Sequence, residues 1–125
     1  MNSLSFVKKL AVATTASLLL AMPVAYAKTP TTKVVFAEGS YCGNYEGQIN
    51  GARNFTLTIL KGQTVYISSD TDYDGISSIT AKNPQGKLMK DVGDSDSFAF
   101  NITKTGKHTI TVKGDNYVNL KFCAY

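Results

Sequence analysis

A two-residue alternation of apolar and polar side chains recurs along the second half of the sequence and strongly limits its possible folds. Phe55, Leu57 and Ile59 alternate with polar neighbours, and the same pattern recurs in TVYIS, SFAFNIT, HTITV and YVNLKF. Such segments are typical of strands with one buried face and one solvated face. Neither heptads nor a long helical periodicity occurs after residue 27. The pattern therefore predicts a β protein.

Turn-forming residues separate the alternating segments, at Asn50-Gly51, Lys61-Gly62, Pro84-Gln85-Gly86, Gly93-Asp94, Thr105-Gly106 and Gly114-Asp115. Further strands are predicted in KVVFA, YEGQIN, ISSITAK and KLMKD. Short strands with frequent turns predict an all-β fold. We expect one antiparallel β-sandwich or jelly-roll of about eight short strands.

The first 27 residues have the composition of a secretory signal peptide. Lys8 and Lys9 precede an apolar run from Leu10 to Met22, which is short for a membrane span. Small residues before Lys28 predict cleavage after Ala27 and a periplasmic or secreted protein. The mature chain would be one domain, residues 28–125, without a membrane segment.

The charge of the mature chain is nearly balanced. Removing Lys8 and Lys9 lowers the formal net charge from +4 to +2. A balance of this kind does not indicate a nucleic-acid partner or strong attraction to a membrane surface.

The chain has two cysteines, Cys42 and Cys123. An exported protein with an even number of cysteines is expected to pair them. The bridge would join an early segment to the last strand. Because two cysteines without a nearby histidine make a poor metal site, we predict neither a metal nor a cofactor here.

The segment DTDYDG has the opening pattern of a calcium-binding loop, with Asp70, Asp72 and Asp74 as candidate ligands. The twelfth position of such a loop would be Ala81, where a bidentate glutamate is needed. Two interpretations remain: a weak calcium site, or a solvated loop whose charges protect a sheet edge.

His108 is the only histidine in the chain, and this limits catalytic hypotheses. A serine–histidine–aspartate arrangement would have to use it, but no G-x-S-x-G motif is present. The expected disulfide removes Cys42 as a nucleophile. The residues therefore predict a protein without enzymatic activity.

The segment 34–68 carries a V-x-F-x-x-G motif, a Y-x-G-x-I-x-G hairpin and a K-G-Q turn between two strands. The matching residues are Val34, Phe36, Gly39, Tyr45, Gly47, Ile49, Gly51, Lys61, Gly62 and Gln63. In these motifs the chain resembles the bacterial periplasmic inhibitors of g-type lysozyme. The resemblance continues through NPQGKLM and the TGKHTITV hairpin to YVNLKF. More loosely, the chain resembles the β-sandwich pre-peptidase C-terminal domains of secreted bacterial proteases.

The resemblance implies an inhibitor that occludes the active-site cleft of a lysozyme, g-type first and i-type second. In this family an S-G-x-Y loop contributes to insertion into the cleft. The matching residues are Thr105, Gly106, Lys107 and His108, so threonine replaces serine and histidine replaces tyrosine. Further candidate contacts are Lys104, Arg53, Tyr41 and Tyr73.

Two alternatives remain open from the sequence. His108 shares the parity of Ile110 and Val112, so its side chain either contacts a partner or has a structural role at the edge of the core. The second candidate function is a calcium-dependent or carbohydrate-contacting binding module of the pre-peptidase type.

Overall fold

The computed structural model describes residues 28–70, 73–95 and 97–125, so the predicted signal peptide lies outside the described residues. These residues form six strands, which we number β1 (Thr31–Lys33), β2 (Cys42–Ile59), β3 (Thr64–Ser69), β4 (Ile76–Lys82), β5 (Phe98–Asn101) and β6 (Gly106–Ala124). In the described part of the chain, no helix has the length and hydropathy needed to cross a bilayer. The predicted all-β class is confirmed.

One mixed sheet joins the six strands in the order β1-β2-β6-β3-β5, and β4 also pairs with β6. β2 and β6 form an unbroken antiparallel ladder that begins at Cys42 opposite Cys123 and ends at Ile59 opposite Gly106. The other edge of β6 is shared, because β4 pairs with residues 109–114 and β3 with residues 120–124. β1 lies parallel to β2.

The β2–β6 ladder folds over on itself, so that one sheet supplies two packed layers. The rings of Tyr45 and Phe55 show this, because their centroids are 4.9 Å apart although both residues belong to β2. Ten residues of straight strand would separate them by about 33 Å. The two halves of the ladder therefore face each other across the core.

Two glycines lie opposite each other where the ladder bends, Gly51 in β2 and Gly114 in β6. Gly51 has a φ of +89°, which side chains with a Cβ rarely adopt. A Cβ on Gly114 would lie 2.2 Å from the carbonyl oxygen of Gly75. Glycine at this position therefore lets the turn before β4 approach the backbone of β6.

The alternating residues fill the interior, as the sequence predicts. The core residues of the two long strands are Ile49, Phe55, Leu57, Ile59, Ile110, Val112, Val118, Leu120, Phe122 and Ala124. β3 adds Val65 and Ile67, and Phe100 and Ile102 come from β5 and the residue after it. Burial of such side chains contributes about 1.5–3 kcal/mol each, so this core is the main source of stability.

Several predicted boundaries were wrong. Asn50-Gly51 and Gly114-Asp115 lie inside continuous strands, because at both places the ladder bends without ending. KVVFA is largely outside β1, and KLMKD contributes only an isolated bridge between Lys82 and Leu88. The described residues consequently form six strands, two of them long, where about eight short ones were expected.

The predicted disulfide between Cys42 and Cys123 is confirmed. The two residues are directly opposite each other in the β2–β6 ladder, with Cα atoms 4.1 Å apart. The bridge thus closes the end of the ladder at which β2 begins, across a sequence separation of 81 residues.

Candidate functional site

The loop that the sequence singles out connects β5 to β6, but it is not the tip of a hairpin. β5 pairs with β3, whereas the first residues of β6 pair with the end of β2. The predicted hairpin at TGKHTITV was therefore wrong. The loop carries the chain from β5 in one layer to β6 in the other. It lies where the β2–β6 ladder ends, at the end of the molecule away from the bend.

Hydrogen bonds hold this loop against the turn between β2 and β3. The hydroxyl of Thr105 accepts a hydrogen bond from the backbone N–H of Lys61 at 2.9 Å. Ile102 and the Gly62–Gln63 backbone exchange two further bonds, both of 2.9 Å. We call residues 60–63 and 102–107 together the strand-end surface. Its two segments are fixed relative to each other.

Gly106 allows a third segment to pack beneath the loop. Its φ is +149°, and a Cβ at this position would lie 2.9 Å from Cγ of Pro84. The turn at Pro84 therefore packs against the loop, and any side chain at position 106 would disturb this contact.

The strand-end surface is basic. Lys61, Lys104 and Lys107 are exposed, and the two segments contain no aspartate or glutamate. Leu60 lies beside them with 58% of its surface exposed. Lys107 also lines a groove of about 270 Å³ together with Lys33 of β1. Ammonium groups grouped on a fixed backbone are suited to binding carboxylates.

His108 is buried, with an exposed fraction of 1%. Its Nδ1 atom lies 2.9 Å from the carbonyl oxygen of Gly106, which can only accept, so Nδ1–H donates this bond. Nε2 is buried and has no hydrogen-bond partner among the described residues. The side chain therefore packs in the core and fixes the start of β6, which favours the structural alternative for this residue.

Tyr41 lies on the surface, with 63% of its area exposed. Its ring packs beside that of Tyr125, with centroids 5.8 Å apart. Because the backbone of Tyr125 is hydrogen-bonded to Thr64, directly after the 60–63 turn, Tyr41 belongs to the same end of the molecule as the strand-end surface.

The other two candidate contacts are not brought to this surface. Arg53 is half-buried close to the bend, where its guanidinium donates to the Thr32 hydroxyl at 2.9 Å and lies 5.3 Å from the centroid of the Tyr45 ring. Tyr73 is also half-buried, and its hydroxyl donates to the carbonyl oxygen of Ile67. Both side chains stabilise the fold.

The acidic loop lies at the opposite end of the molecule, beside the bend. Asp70 accepts a hydrogen bond from Asn119, and the carbonyl oxygen of Asp74 accepts one from Asn116. Asp72, the third candidate calcium ligand, lies outside the described residues. Among the residues that are described, no group of three metal-ligating side chains is close enough to hold an ion.

Comparison with solved structures identifies proteins with the same fold. The inhibitor PliG of Aeromonas hydrophila, described as a periplasmic lysozyme inhibitor of g-type lysozyme, matches with a TM-score of 0.59 and 19% identity, over 78% of this chain and 98% of its own. PliG of Salmonella Typhimurium matches with a TM-score of 0.59 and 17% identity, over 78% of this chain and 100% of its own. A mutant of Escherichia coli PliG matches with the same TM-score and 18% identity, with the same coverage.

No protein-family model and no curated protein matches the sequence. The structural likeness extends over nearly the whole length of each inhibitor, while the sequences have diverged. The chain therefore has the fold of the PliG inhibitors of g-type lysozyme.

Proposed function

We propose that this protein is a non-enzymatic, periplasmic inhibitor of lysozyme. The preferred target is g-type lysozyme, and i-type lysozyme is the second. In this proposal the segment before Lys28 directs export and is removed after Ala27. The mature protein would then meet lysozymes that reach the periplasm.

The shared fold is the observation that carries the proposal, since the match includes 98–100% of each PliG chain. A fold by itself does not determine a function, so the chemistry of the surface must also fit. The basic character of the strand-end surface supports the proposal, because its two segments carry three exposed lysines and no carboxylate.

The proposed mechanism is occlusion of the cleft. Lysozymes cleave glycan chains with carboxyl groups, and their clefts are consequently acidic. Lys104 and Lys107 would approach these carboxyl groups, while Lys61 strengthens the long-range attraction between the two proteins. The hydrogen bond from Lys61 to Thr105 would hold the loop in place, so that little conformational entropy is lost on binding.

The proposal is tested by incubating the purified protein, beginning at Lys28, with g-, i- and c-type lysozymes and measuring lysis of bacterial cell walls. We expect inhibition of the g-type enzyme at near-stoichiometric concentration, and weaker or no inhibition of the others. If none of the three is inhibited at micromolar excess, the proposed function is wrong.

A further inference from the structure

Three exposed tyrosines from separate segments meet on the outer face of the sheet. Tyr41 precedes β2, Tyr66 lies in β3 and Tyr125 follows β6, with exposed fractions of 63%, 42% and 63%. The Tyr125 ring lies between the other two, with centroid distances of 5.8 Å to Tyr41 and 5.9 Å to Tyr66. We call these three residues the tyrosine platform.

The backbone beneath the platform is firmly held. Tyr125 and Thr64 exchange two backbone hydrogen bonds, and the carbonyl oxygen of Tyr41 accepts one from Ala124. Tyr66 is the register partner of Cys123, and Sγ of Cys42 lies 4.0 Å from the hydroxyl of Tyr125, so the disulfide lies beside these two residues. Because these backbones are already ordered, the tyrosines lose little freedom when a partner covers them.

Thr64 connects the strand-end surface to the tyrosine platform. The turn at residues 60–63 is hydrogen-bonded to the 102–107 loop, and the next residue, Thr64, is bonded to Tyr125. The exposed aromatic rings and the lysines therefore lie at the same end of the molecule. Tyrosine is strongly enriched among the residues that dominate binding energy at protein interfaces.

We infer that the tyrosine platform is the second part of the lysozyme-binding surface. Its partner is the rim of the same acidic cleft that the lysines approach, and the inference rests on the proposed function. The lysines match the charge of the cleft, whereas the rings supply apolar area and hydroxyl donors to groups on its rim.

The test compares inhibition constants for g-type lysozyme among single variants of the full mature protein. Tyr66→Ala and Tyr125→Ala should each raise the inhibition constant about 10- to 30-fold. Tyr117→Ala is the matched control, because Tyr117 is 54% exposed but lies near the bend, and its effect should be less than about twofold. Tyr125→Phe, which keeps the ring, should retain most of the inhibition.

Melting temperatures of the same variants separate binding from a structural role. If the alanine variants inhibit like the parent but unfold more easily, the rings merely shield the disulfide and the inference is wrong. Unchanged inhibition with unchanged stability also contradicts it. Failure of the parent itself to inhibit would instead overturn the proposed function together with this inference. If the platform binds free cell-wall glycan but not lysozyme, the inference about the tyrosine platform is also wrong.

Discussion

The rings of Phe55 and Phe122 are in contact, with centroids 4.9 Å apart. In the β2–β6 ladder, however, Phe55 is opposite Ile110, which lies twelve residues before Phe122. A straight strand would place them about 40 Å apart. The contact therefore depends on the bend at Gly51 and Gly114, and it ties the two layers of the sandwich together.

A double-mutant cycle should detect this contact in solution. We expect Phe55→Leu and Phe122→Leu to couple by about 0.5–1.5 kcal/mol in the free energy of unfolding, because the aromatic pair is lost once either ring is removed. Urea denaturation gives the four stabilities. Phe122→Leu combined with Tyr117→Ala should be additive within about 0.5 kcal/mol, and additivity of the two phenylalanine changes would contradict the folded-over ladder.

Substitution of Gly114 should destabilise the protein much more than substitution of a glycine in an open turn. In Gly114→Ala the new methyl group meets the backbone of Gly75, which cannot move without opening the contact between β4 and β6. We expect a loss of about 3 kcal/mol or more. Gly86→Ala is the control, since it has a φ of +82° but no atom near the new group, and should cost about 1–2 kcal/mol. Equal losses would refute the steric explanation.

Removal of the disulfide should lower stability without changing the fold. For the Cys42→Ser/Cys123→Ser variant we expect a loss of about 2–5 kcal/mol, because the bridge closes a long loop in the unfolded chain. Urea denaturation with and without a reducing agent measures the effect. The parent should respond to reduction and the double variant should not.

The two exposed lysines of the loop should affect inhibition and not stability. We expect Lys104→Ala/Lys107→Ala to raise the inhibition constant for g-type lysozyme about tenfold or more, since the proposed contacts of two ammonium groups with carboxylates of the cleft are removed. The difference from the parent should diminish as salt is added. Lys113→Ala, an exposed change on β6 near the bend, is the control. An equal loss of inhibition in the control would argue against the strand-end surface.

Substitution of His108 should lower the stability of the protein and leave its inhibition of lysozyme nearly unchanged. His108→Ala removes a buried ring and its bond to Gly106, so we expect a loss of about 2–4 kcal/mol in the free energy of unfolding. At temperatures where the variant remains folded, its inhibition constant should stay within about threefold of the parent value. A large loss of inhibition with unchanged stability would make His108 a contact residue.

Local pattern was sufficient to predict which side chains are buried. Phe55, Leu57 and Ile59 point inward because alternation fixes the face of a strand wherever that strand pairs. The parity of His108 left a structural role at the edge of the core open, and the structure buries this side chain. The disulfide also followed from the predicted export signal and the even number of cysteines.

Pairing between strands could not be predicted from local sequence. Asn50-Gly51 has the composition of a tight turn, yet it continues a strand because Gly114-Asp115 lies opposite and bends with it. Likewise, the loop before His108 is short enough for a hairpin, but β5 pairs with β3 because the loop crosses between layers. The tyrosine platform had no motif, because its three members are separated in the chain and meet only in the fold.

The mode of inhibition tests the central proposal most directly. Initial rates of g-type lysozyme should be measured on a soluble glycan substrate at several concentrations of the mature protein. Occlusion of the cleft predicts competitive inhibition, in which the apparent KM rises with inhibitor concentration while kcat stays constant, and a bound glycan fragment weakens the inhibitor. A fall in kcat with an unchanged KM, or no inhibition at all, would contradict the account.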